Sequence, residues 1–246
     1  MKIAAIIPAR YKSARLPKKM LCEIEGISII QWVYNKAKIA AVFDEIIIAT
    51  DHERIMKHCA ELNMNCTYTS VSHQSGTDRI AEVASQIDAD IIINIQGDEP
   101  LIEPETIQAL VTLMKTDGVN IGTLMKKINT SEVLFDFNAV KVVTDNKDNS
   151  LYFSRNAIPA LRDVPYREWI DKGLYYQHVG MYGFRRDTLL EISKLEMSSL
   201  EKIEKLEQLR WLSNGYQIKI KEVESNSFGI DTEEDLIKAR EIIKKI

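Results

Sequence analysis

Short apolar runs rich in β-branched residues alternate with segments of helical periodicity through the first hundred residues. Buried strands are predicted at 3–7, 45–50 and 90–95, and helices between them at 29–41 and 78–87. Runs that are apolar on both faces are typical of parallel strands covered by helices. The alternation therefore predicts an α/β domain whose parallel strands are joined by crossover helices.

The second half of the chain has strand patterns at less regular spacing. These patterns lie at 139–144, 178–186 and 217–223, and a polar, proline-bearing stretch covers 159–173. We expect a mixed sheet edge here, with a small lobe at roughly 150–215 that serves substrate binding or dimerisation.

Two late segments show the period of an amphipathic helix. In the segment 195–215, with a possible stop at Gly215, one stripe holds Leu200, Ile203, Leu206, Leu209 and Leu212. In the segment 232–246, the apolar positions are Leu236, Ile237, Ala239, Ile242, Ile243 and Ile246. The second helix is predicted to close the domain.

Composition narrows the class of protein. With 246 residues, 45% of them hydrophobic, the chain is long enough to form one main domain with a sizeable core. The formal charge of -4 argues against a nucleic-acid-binding surface. Three cysteines without a CxxC pair suggest neither a disulfide framework nor a zinc ribbon. The apolar run near the N-terminus is too short for a signal peptide, and no run approaches a membrane span, so we expect a soluble cytoplasmic protein.

The loop after the first predicted strand is strongly cationic and holds no acid. Its five cations within ten residues are Arg10, Lys12, Arg15, Lys18 and Lys19. Neither a GxxxxGK[ST] nor a GxGxxG pattern is present, so side chains rather than backbone amides would bind phosphate. A solvated basic loop is the alternative. The position after an apolar strand, with Pro8 and Pro17 stiffening the turn, favours a polyphosphate or another anion.

The strand predicted at 90–95 runs into Gln96, Gly97, Asp98 and Glu99. Ligands bind beyond the carboxyl ends of strands in open α/β sheets, and an acid there can hold Mg²⁺ together with phosphate oxygens. Neighbouring side chains on an extended segment point to opposite sides, so Asp98 and Glu99 are not expected to share one metal. The alternative is a turn with solvated acids.

A third acidic segment, at 229–236, precedes the last predicted helix. Asp231 or Thr232 can cap exposed amides, and the acids that follow complement the helix dipole. On the residues alone, capping is the favoured explanation of Asp231.

Together these segments resemble the 3-deoxy-manno-octulosonate (Kdo) cytidylyltransferase family over essentially the whole chain. The matching blocks, in the family's order, are IPARYKSARLP at 7–17, ATDHE at 49–53, HQSGTDRIAEV at 73–83, NIQGDEP at 94–100, NAVKVV at 138–143, LYFSRNAIP at 151–159, HVGMYGFRR at 178–186, LEQLR at 206–210 and GIDTEEDL at 229–236.

The resemblance implies a single domain over 1–246 with a Rossmann-like nucleotidyltransferase fold, known as the nucleotide-diphospho-sugar transferase fold, and a homodimer formed through the small lobe. It also implies that the anomeric hydroxyl of Kdo attacks the α-phosphorus of CTP, releasing pyrophosphate and giving CMP-Kdo for lipopolysaccharide or capsule biosynthesis. In such a transfer the protein positions the reactants and neutralises charge.

The resemblance also assigns nucleotide-site residues. Those matched to nucleotide binding are Arg10, Arg15, Lys19, Ser75, Gly76, Thr77 and Arg79. Lys19, Asp98 and Arg10 match the catalytic positions, and His73 with Gln74 precedes the segment that contacts cytidine.

Asp98 and Asp231 match the two acids that hold Mg²⁺ in this family, and the capping role of the second can coexist with metal binding. The residues matched to the sugar-acid pocket are Arg79, Gln96, Arg155, His178, Tyr182, Glu207 and Gln208. Each also has a structural alternative, since Arg155 can pair on the surface, His178 and Tyr182 can be packed strand residues, and Glu207 can lie on a wet helix face. No nucleophile, base and orienting acid form a triad, which fits direct displacement.

Departures from the family pattern leave the sugar open. Lys18 and Met20 stand where the family has Gly and Pro, and 197–199 reads MSS where the family has PSP. A related sugar acid, such as 8-amino-Kdo or a nonulosonate, is therefore an alternative substrate. A non-catalytic nucleotide-sensing module is the alternative from another functional class.

Overall fold

The structure is a computed structural model that describes residues 1–12, 15–73 and 75–245. In these residues the strands are β1 (Ile3–Ala9), β2 (Glu23–Ile24), β3 (Ile27–Ser28), β4 (Glu45–Thr50), β5 (Cys66–Tyr68), β6 (Ile91–Asn94), β7 (Ile121–Lys127), β8 (Lys141–Thr144), β9 (Ser150–Ser154), β10 (Tyr176–Arg185) and β11 (Lys219–Glu222). The α-helices are α1 (Ile29–Ala40), α2 (Glu53–Glu61), α3 (Gly76–Ala84), α4 (Pro104–Met114), α5 (Ser131–Phe135), α6 (Trp169–Lys172), α7 (Arg186–Ile192), α8 (Ser199–Glu204), α9 (Gln208–Ser213) and α10 (Glu233–Ile243). Short 3-10 turns lie at Lys19–Leu21 and Tyr166–Glu168.

A nine-stranded mixed sheet organises the chain in the order β11, β7, β10, β6, β1, β4, β5, with β8 and β9 joined beside β10. β1 pairs in parallel with β4 and β6, β4 with β5, and β7 with β11. β10 runs antiparallel to β6, β7 and β8. The predicted α/β class with a mixed sheet in the second half is confirmed.

Helices cover both faces of the sheet, and the central strand shows why. All seven residues of β1 are buried. Ile3, Ala5 and Ile7 pack in one core with α1 and α4, whereas Ala4 and Ile6 pack in the other core with α3 and α7. A strand buried on both sides has no polar face to offer, which explains the unbroken apolar run in the sequence.

The prediction of a single helix at 195–215 is wrong, because this segment forms two helices, α8 and α9. Lys205 takes a left-handed conformation with φ of 55°. The Arg155 guanidinium donates from Nε to the Glu204 carbonyl at 2.7 Å and from Nη2 to the Lys205 carbonyl at 3.4 Å, so a side chain from another element satisfies the end of α8. Leu206 and Leu209 are buried as the stripe predicts, but Leu200 and Ile203 are exposed.

The predicted stop at Gly215 is confirmed, since this residue follows α9 with φ of 83°. The last helix is also confirmed. Thr232 caps α10 and forms a capping box with Asp235. Leu236 and Ala239 are buried, whereas Ile237 is half exposed; Ile246 lies outside the described residues.

Strand directions bring several loops to one edge of the sheet. The parallel strands β1, β6, β7 and β11 end at this edge, and the antiparallel β10 begins there. Within the described part of the chain, no helix is long and apolar enough to span a membrane.

Candidate active site

Two carboxylates and a buried ammonium meet at this edge. Lys19 donates from Nζ to Asp98 Oδ2 at 2.5 Å and to Asp231 Oδ1 at 3.0 Å, and only 7% of the Lys19 side chain is exposed. Arg15 adds a second cation, with Nη2 at 2.8 Å from Asp231 Oδ2. The resemblance-based residues Arg15, Lys19, Asp98 and Asp231 are therefore in one cluster, although their roles stay predictions.

Lys19 reaches the cluster because the cationic loop ends in a tight turn. Lys18 precedes the 3-10 turn with φ of 60° and ψ of 24°, a left-handed conformation. The family has Gly there, and Gly takes such a conformation without the cost of about 1 kcal/mol or more that Lys carries. Met20, in place of Pro, is buried in the core. The 3-10 turn thus forms with Lys18 and Met20 at these positions.

Gly97 lets the loop after β6 approach β1. A Cβ atom at this position would lie 2.5 Å from the Pro8 carbonyl oxygen. The backbone of the next residue, Asp98, is also fixed, because its carbonyl accepts from Ile230 N at 2.9 Å. This backbone bond ties the Asp98 turn directly to the segment that carries Asp231.

The cluster is charge-balanced and fits a magnesium ion in donor type. Burial opposes the charged form of Lys19, but Asp98 and Asp231 together raise the pKa of its ammonium. Both acids lie within hydrogen-bond reach of one atom, Nζ, and two carboxylates plus phosphate oxygens and water form the donor set that Mg²⁺ prefers. In the described ranges no three His, Cys, Asp or Glu side chains gather into a protein-only metal site.

The segment matched to cytidine begins α3. Ser75 caps this helix and forms a capping box with Asp78, while a Cβ at Gly76 would lie 3.7 Å from the Pro8 side chain. Arg10 donates from Nη2 to the His73 carbonyl at 3.4 Å, which joins the cationic loop to this segment. Gln74, and Ser13 and Ala14 of the loop, lie outside the described residues.

Arg79 is placed differently from the other predicted ligands. Its side chain is fully buried, donating from Nη2 to Asp51 Oδ2 at 2.9 Å and from Nη1 to Thr69 Oγ1. Burial lowers the pKa of this guanidinium, and Asp51 works against that shift. Its predicted contact with the sugar carboxylate stays a prediction, and in this structure its known partners are Asp51 and Thr69.

Glu207 connects the cytidine segment to α9. Thr77 donates from Oγ1 to Glu207 Oε2 at 2.6 Å. Burial raises the pKa of Glu207, although Thr77 and Ser75 favour its charged form through hydrogen bonds. Gln208 beside it is buried. The residues matched to nucleotide and to sugar are thus in direct contact here.

A cavity of about 1110 Å³ opens next to the two acids. Its cationic lining residues are Arg15, Lys126, Arg155, Lys205 and Lys238, and its acidic ones are Glu99, Asp136, Asp231 and Asp235. Five cationic side chains against four acidic ones suit a polar ligand that carries an anionic group.

The predicted sugar residues divide between the cavity and its support. Arg155 and His178 line the cavity. Gln96 donates from Nε2 to the Gly180 carbonyl at 2.9 Å, and Gly180 is a lining residue. Tyr182 is buried behind His178, with ring centroids 5.1 Å apart, and burial together with Glu207 raises its pKa.

A buried lysine that the sequence reasoning did not identify fixes one wall of the cavity. Lys141 is fully buried and donates from Nζ to the carbonyls of Asp136 at 2.7 Å, Ala139 at 2.5 Å and Arg155 at 2.5 Å. Burial lowers its pKa. The sequence did contain a signal for this role, namely a lysine between Val140 and Val142 in an apolar strand. A lysine buried at such a position needs hydrogen-bond acceptors that are also buried.

Glu99 and Lys126 also line the cavity, and the sequence reasoning assigned neither of them to a site. Ser227 donates from Oγ to Glu99 Oε2 at 2.9 Å, and Lys126 donates from Nζ to the Ser225 carbonyl at 3.0 Å. Burial, then the charge of Asp98, raises the pKa of Glu99 to about 7. Asp98 and Glu99 have different partners, as predicted, but they lie in a turn closed by Glu99 N donating to the Gln96 carbonyl at 3.3 Å rather than in an extended segment.

Known proteins resemble this chain over its whole length. The model of a cytidylyltransferase family matches residues 4–222. A 3-deoxy-manno-octulosonate cytidylyltransferase of Geobacter metallireducens is 44% identical over 100% of this chain and 99% of its own, and one of Bacteroides thetaiotaomicron is 42% identical over 99% of each. A solved structure of CMP:2-keto-3-deoxy-manno-octonic acid synthetase complexed with CTP is 38% identical, covers 100% of this chain and 99% of its own, and superposes with a TM-score of 0.94. A glucose-1-phosphate thymidylyltransferase structure from Bacillus anthracis, 16% identical with a TM-score of 0.69, covers 99% of this chain and 96% of its own and shares the fold.

Proposed function

The chain belongs to the cytidylyltransferase family, and on that basis we propose that it transfers CMP from CTP to the anomeric hydroxyl of Kdo. The products are CMP-Kdo and pyrophosphate, for lipopolysaccharide or capsule biosynthesis. The observation that carries the proposal is the bridge of Lys19 between Asp98 and Asp231 beside a cationic cavity. It supports a phosphate site and a sugar-acid site at one edge of the sheet.

The reaction forms a bond from the anomeric oxygen to the α-phosphorus, breaks the bond from that phosphorus to the bridging oxygen, and releases the hydroxyl proton. Asp98 and Asp231 would hold Mg²⁺, which supplies charge neutralisation at the phosphate oxygens. Arg10, Arg15 and Lys19 bind the triphosphate and offset the charge that leaves with pyrophosphate.

Lys19 has a different partner in each state of this scheme. In the free protein its ammonium pairs with two carboxylates, at 2.5 and 3.0 Å, and Arg15 supplies the second positive charge. With Mg²⁺ held by the two carboxylates, the Lys19 ammonium would be available to pair with phosphate oxygens. Binding in this scheme is an exchange of ion pairs, which limits the cost of desolvating a charged site.

The sugar acid is placed in the cavity beyond the two carboxylates. Arg155 already donates to three backbone carbonyls, those of Glu204, Phe137 and Lys205. A guanidinium has five N–H groups, so Arg155 retains donors for a sugar carboxylate. Lys126 and Lys205 add positive charge to the lining of the same cavity.

Pyrophosphate release from CTP, Mg²⁺ and Kdo tests the activity directly. We expect release that requires the sugar, and a loss of at least about 100-fold in kcat/KM for Asp98→Asn with an unchanged circular dichroism spectrum. Asp88→Asn is the matched control, because Asp88 is 89% exposed beside Lys2, the residue before β1 at the sheet's other end. No release above the sugar-free background would favour a nucleotide sensor, and a fully active Asp98→Asn variant would contradict the metal assignment.

The sugar acid is identified by parallel kinetics with Kdo, 8-amino-Kdo and a nonulosonate. We expect the highest kcat/KM for Kdo, as the names of the relatives suggest. The departure at 197–199 does not remove the N-cap of α8, because Ser198 accepts from Glu201 N at 3.2 Å. A much higher kcat/KM for another sugar acid would overturn the choice of Kdo.

We also propose a cytoplasmic homodimer formed through the lobe at roughly 150–215. The support is a set of exposed apolar side chains, Leu151 (61%), Met197 (49%), Leu200 (41%) and Ile203 (78%). The three free thiols fit a reducing compartment. Light scattering should give twice the 28.1 kDa of one chain, and Ile203→Glu should give monomer. A monomeric unsubstituted protein would contradict the dimer.

A further inference from the structure

The side chain of Thr123, on β7, contacts the ring of His178. Thr123 is fully buried, and its Oγ1 is 2.8 Å from His178 Nε2. The same oxygen is 2.8 Å from the Met181 carbonyl and 3.4 Å from that of Val179. Three polar atoms from one strand thus converge on a single hydroxyl.

The direction in which the Thr123 hydroxyl donates its proton determines which ring nitrogen of His178 carries a hydrogen. A carbonyl oxygen accepts only, so the contact of 2.8 Å with Met181 O is favourable only if Thr123 donates its one proton there. Thr123 Oγ1 then has only lone pairs to offer His178, and Nε2 must carry the hydrogen. In a neutral ring with hydrogen on Nε2, Nδ1 is an acceptor.

A β-bulge creates this arrangement. The register of β10 on β7 moves from Val179 opposite Leu124 to Tyr182 opposite Thr123, which leaves Gly180 and Met181 without partners on β7. The bulge turns the Met181 carbonyl toward the Thr123 side chain. Bulges of this kind redirect side chains near functional sites.

The ring is also fixed sterically, and it stays neutral. His178 is packed edge-on against Phe153 at 5.1 Å and lies 5.1 Å from Tyr182. Burial lowers the pKa of His178 to about 3. His178 lines the cavity, and within residues 1–12, 15–73 and 75–245 its Nδ1 has no hydrogen-bond partner.

We propose that Thr123 is a positioning residue, which holds His178 in the tautomer that offers Nδ1 to the cavity as a hydrogen-bond acceptor. A ligand of this cavity must then bring a donor, a hydroxyl or an amine, to that point. A sugar that carries only hydrogen or an ether oxygen there leaves Nδ1 unpaired. The ligand part of the inference rests on the proposed function, whereas the tautomer does not.

The tautomer is measured on the substrate-free protein by ¹⁵N NMR of the imidazole nitrogens. The chain has four histidines, so His178→Gln assigns the signal. At pH 7 we expect a protonated Nε2 and an unprotonated Nδ1 in the unsubstituted protein. Thr123→Ser should keep this pattern, and Thr123→Val should lose it. A protonated Nδ1 in the unsubstituted protein would overturn the proposal.

Kinetics of CMP transfer give the second readout. Thr123→Val should raise the KM for Kdo about tenfold, the effect of one hydrogen bond, with kcat and the KM for CTP within about twofold. Thr123→Ser should restore the KM. Thr106→Val is the control, because Thr106 is equally buried and its Oγ1 has no partner among the described residues.

The results separate the two proposals. A Thr123→Val variant with an unchanged KM for Kdo, or with kcat and both KM values impaired alike, contradicts the positioning role. A Thr123→Ser variant as defective as Thr123→Val does so too. Absence of CMP transfer in the unsubstituted protein would remove the proposed function, while the NMR result would still decide the tautomer.

Discussion

Replacing Lys141 by methionine tests how far one buried charge maintains the cavity wall. The substitution keeps most of the side-chain volume but removes the ammonium that binds the carbonyls of Asp136, Ala139 and Arg155. These three carbonyls belong to two separate segments on the same side of the cavity. We expect Lys141→Met to lower both the free energy of unfolding and the affinity for the sugar acid.

The magnitude follows from the acceptors that are left behind. The Asp136 carbonyl also accepts from Ala139 N at 3.2 Å, so it keeps a partner. The carbonyls of Ala139 and Arg155 have no other donor in the described part of the chain, and a buried acceptor without a partner costs about 1–3 kcal/mol. The variant no longer buries an ammonium, which offsets part of this loss. A net destabilisation of about 3 kcal/mol remains, or roughly 6–12 °C in Tm for a chain of this size.

Urea unfolding at pH 7, followed by circular dichroism, measures the stability difference if the m-value is unchanged. The kinetic counterpart is a several-fold higher KM for Kdo with an unchanged KM for CTP, because Arg155 and the segment 136–139 line the cavity that we propose for the sugar acid. Lys57→Met is the control, since this lysine is 81% exposed and only 3.9 Å from Glu61. Its stability should change by less than about 0.5 kcal/mol.

Two results would refute the reasoning about Lys141. One is a Lys141→Met protein as stable as Lys57→Met, which would show that the three carbonyls are solvated or re-paired at no cost. The other is a clear loss of stability with both KM values unchanged. That outcome would separate the buried lysine from the shape of the cavity.

Three further predictions concern other parts of the structure. Arg210→Met should destabilise the fold by about 3–5 kcal/mol in urea, because it leaves Glu201, which Arg210 binds at 2.6 and 2.8 Å, buried without its partner; a loss under 1 kcal/mol would contradict this. Gly97→Ala should cost about 1–3 kcal/mol and most of the activity, since its Cβ meets the Pro8 carbonyl at 2.5 Å; wild-type kinetics would refute the close approach. Burial lowers the pKa of His178 to about 3, so the unfolded chain binds a proton below about pH 6.5 that the folded one does not. The free energy of unfolding should therefore decrease as the pH is lowered through that range. The difference in this free energy between the unsubstituted protein and His178→Gln should shrink by about 2 kcal/mol from pH 7.5 to pH 5. A constant difference would argue against a neutral His178.

Part of the first half of the fold is predictable, because β1 and β6 are buried on both faces; the partly exposed β5 and the helices α2 and α4 were not predicted. The strand predicted at 45–50 is β4 to the residue, and that at 90–95 contains β6. The helix predicted at 29–41 differs from α1 by one residue. Such agreement arises where one signal, the apolar run or the helical stripe, is sufficient to define the element.

The break between α8 and α9 shows where that signal fails. The leucine stripe continues across residue 205, but Arg155 from a distant segment binds the carbonyls that would continue the helix. Tertiary contacts override local periodicity in this case. No pattern within 195–215 encodes the partner.

The candidate site was predictable by residue type but not by geometry. The acids and cations stood out at strand ends, and the resemblance assigned Asp231 a role beyond capping. The contact of Lys19 with both acids depends on three separate segments. The state of His178 likewise depends on a bulge, and a one-dimensional pattern does not show which carbonyl a bulge turns inward.

The bridge of Lys19 also bears on when the protein acquires its activity during synthesis. Lys19 is separated along the chain by 79 residues from Asp98 and by 212 from Asp231. The second acid therefore lies far C-terminal to Asp98 and leaves the ribosome well after the cationic loop and Asp98. A nascent or prematurely terminated chain can hold the cationic loop and Asp98 and still lack half of the proposed metal site. A chain that has not yet reached Asp231 therefore cannot form the contact of Lys19 with both acids.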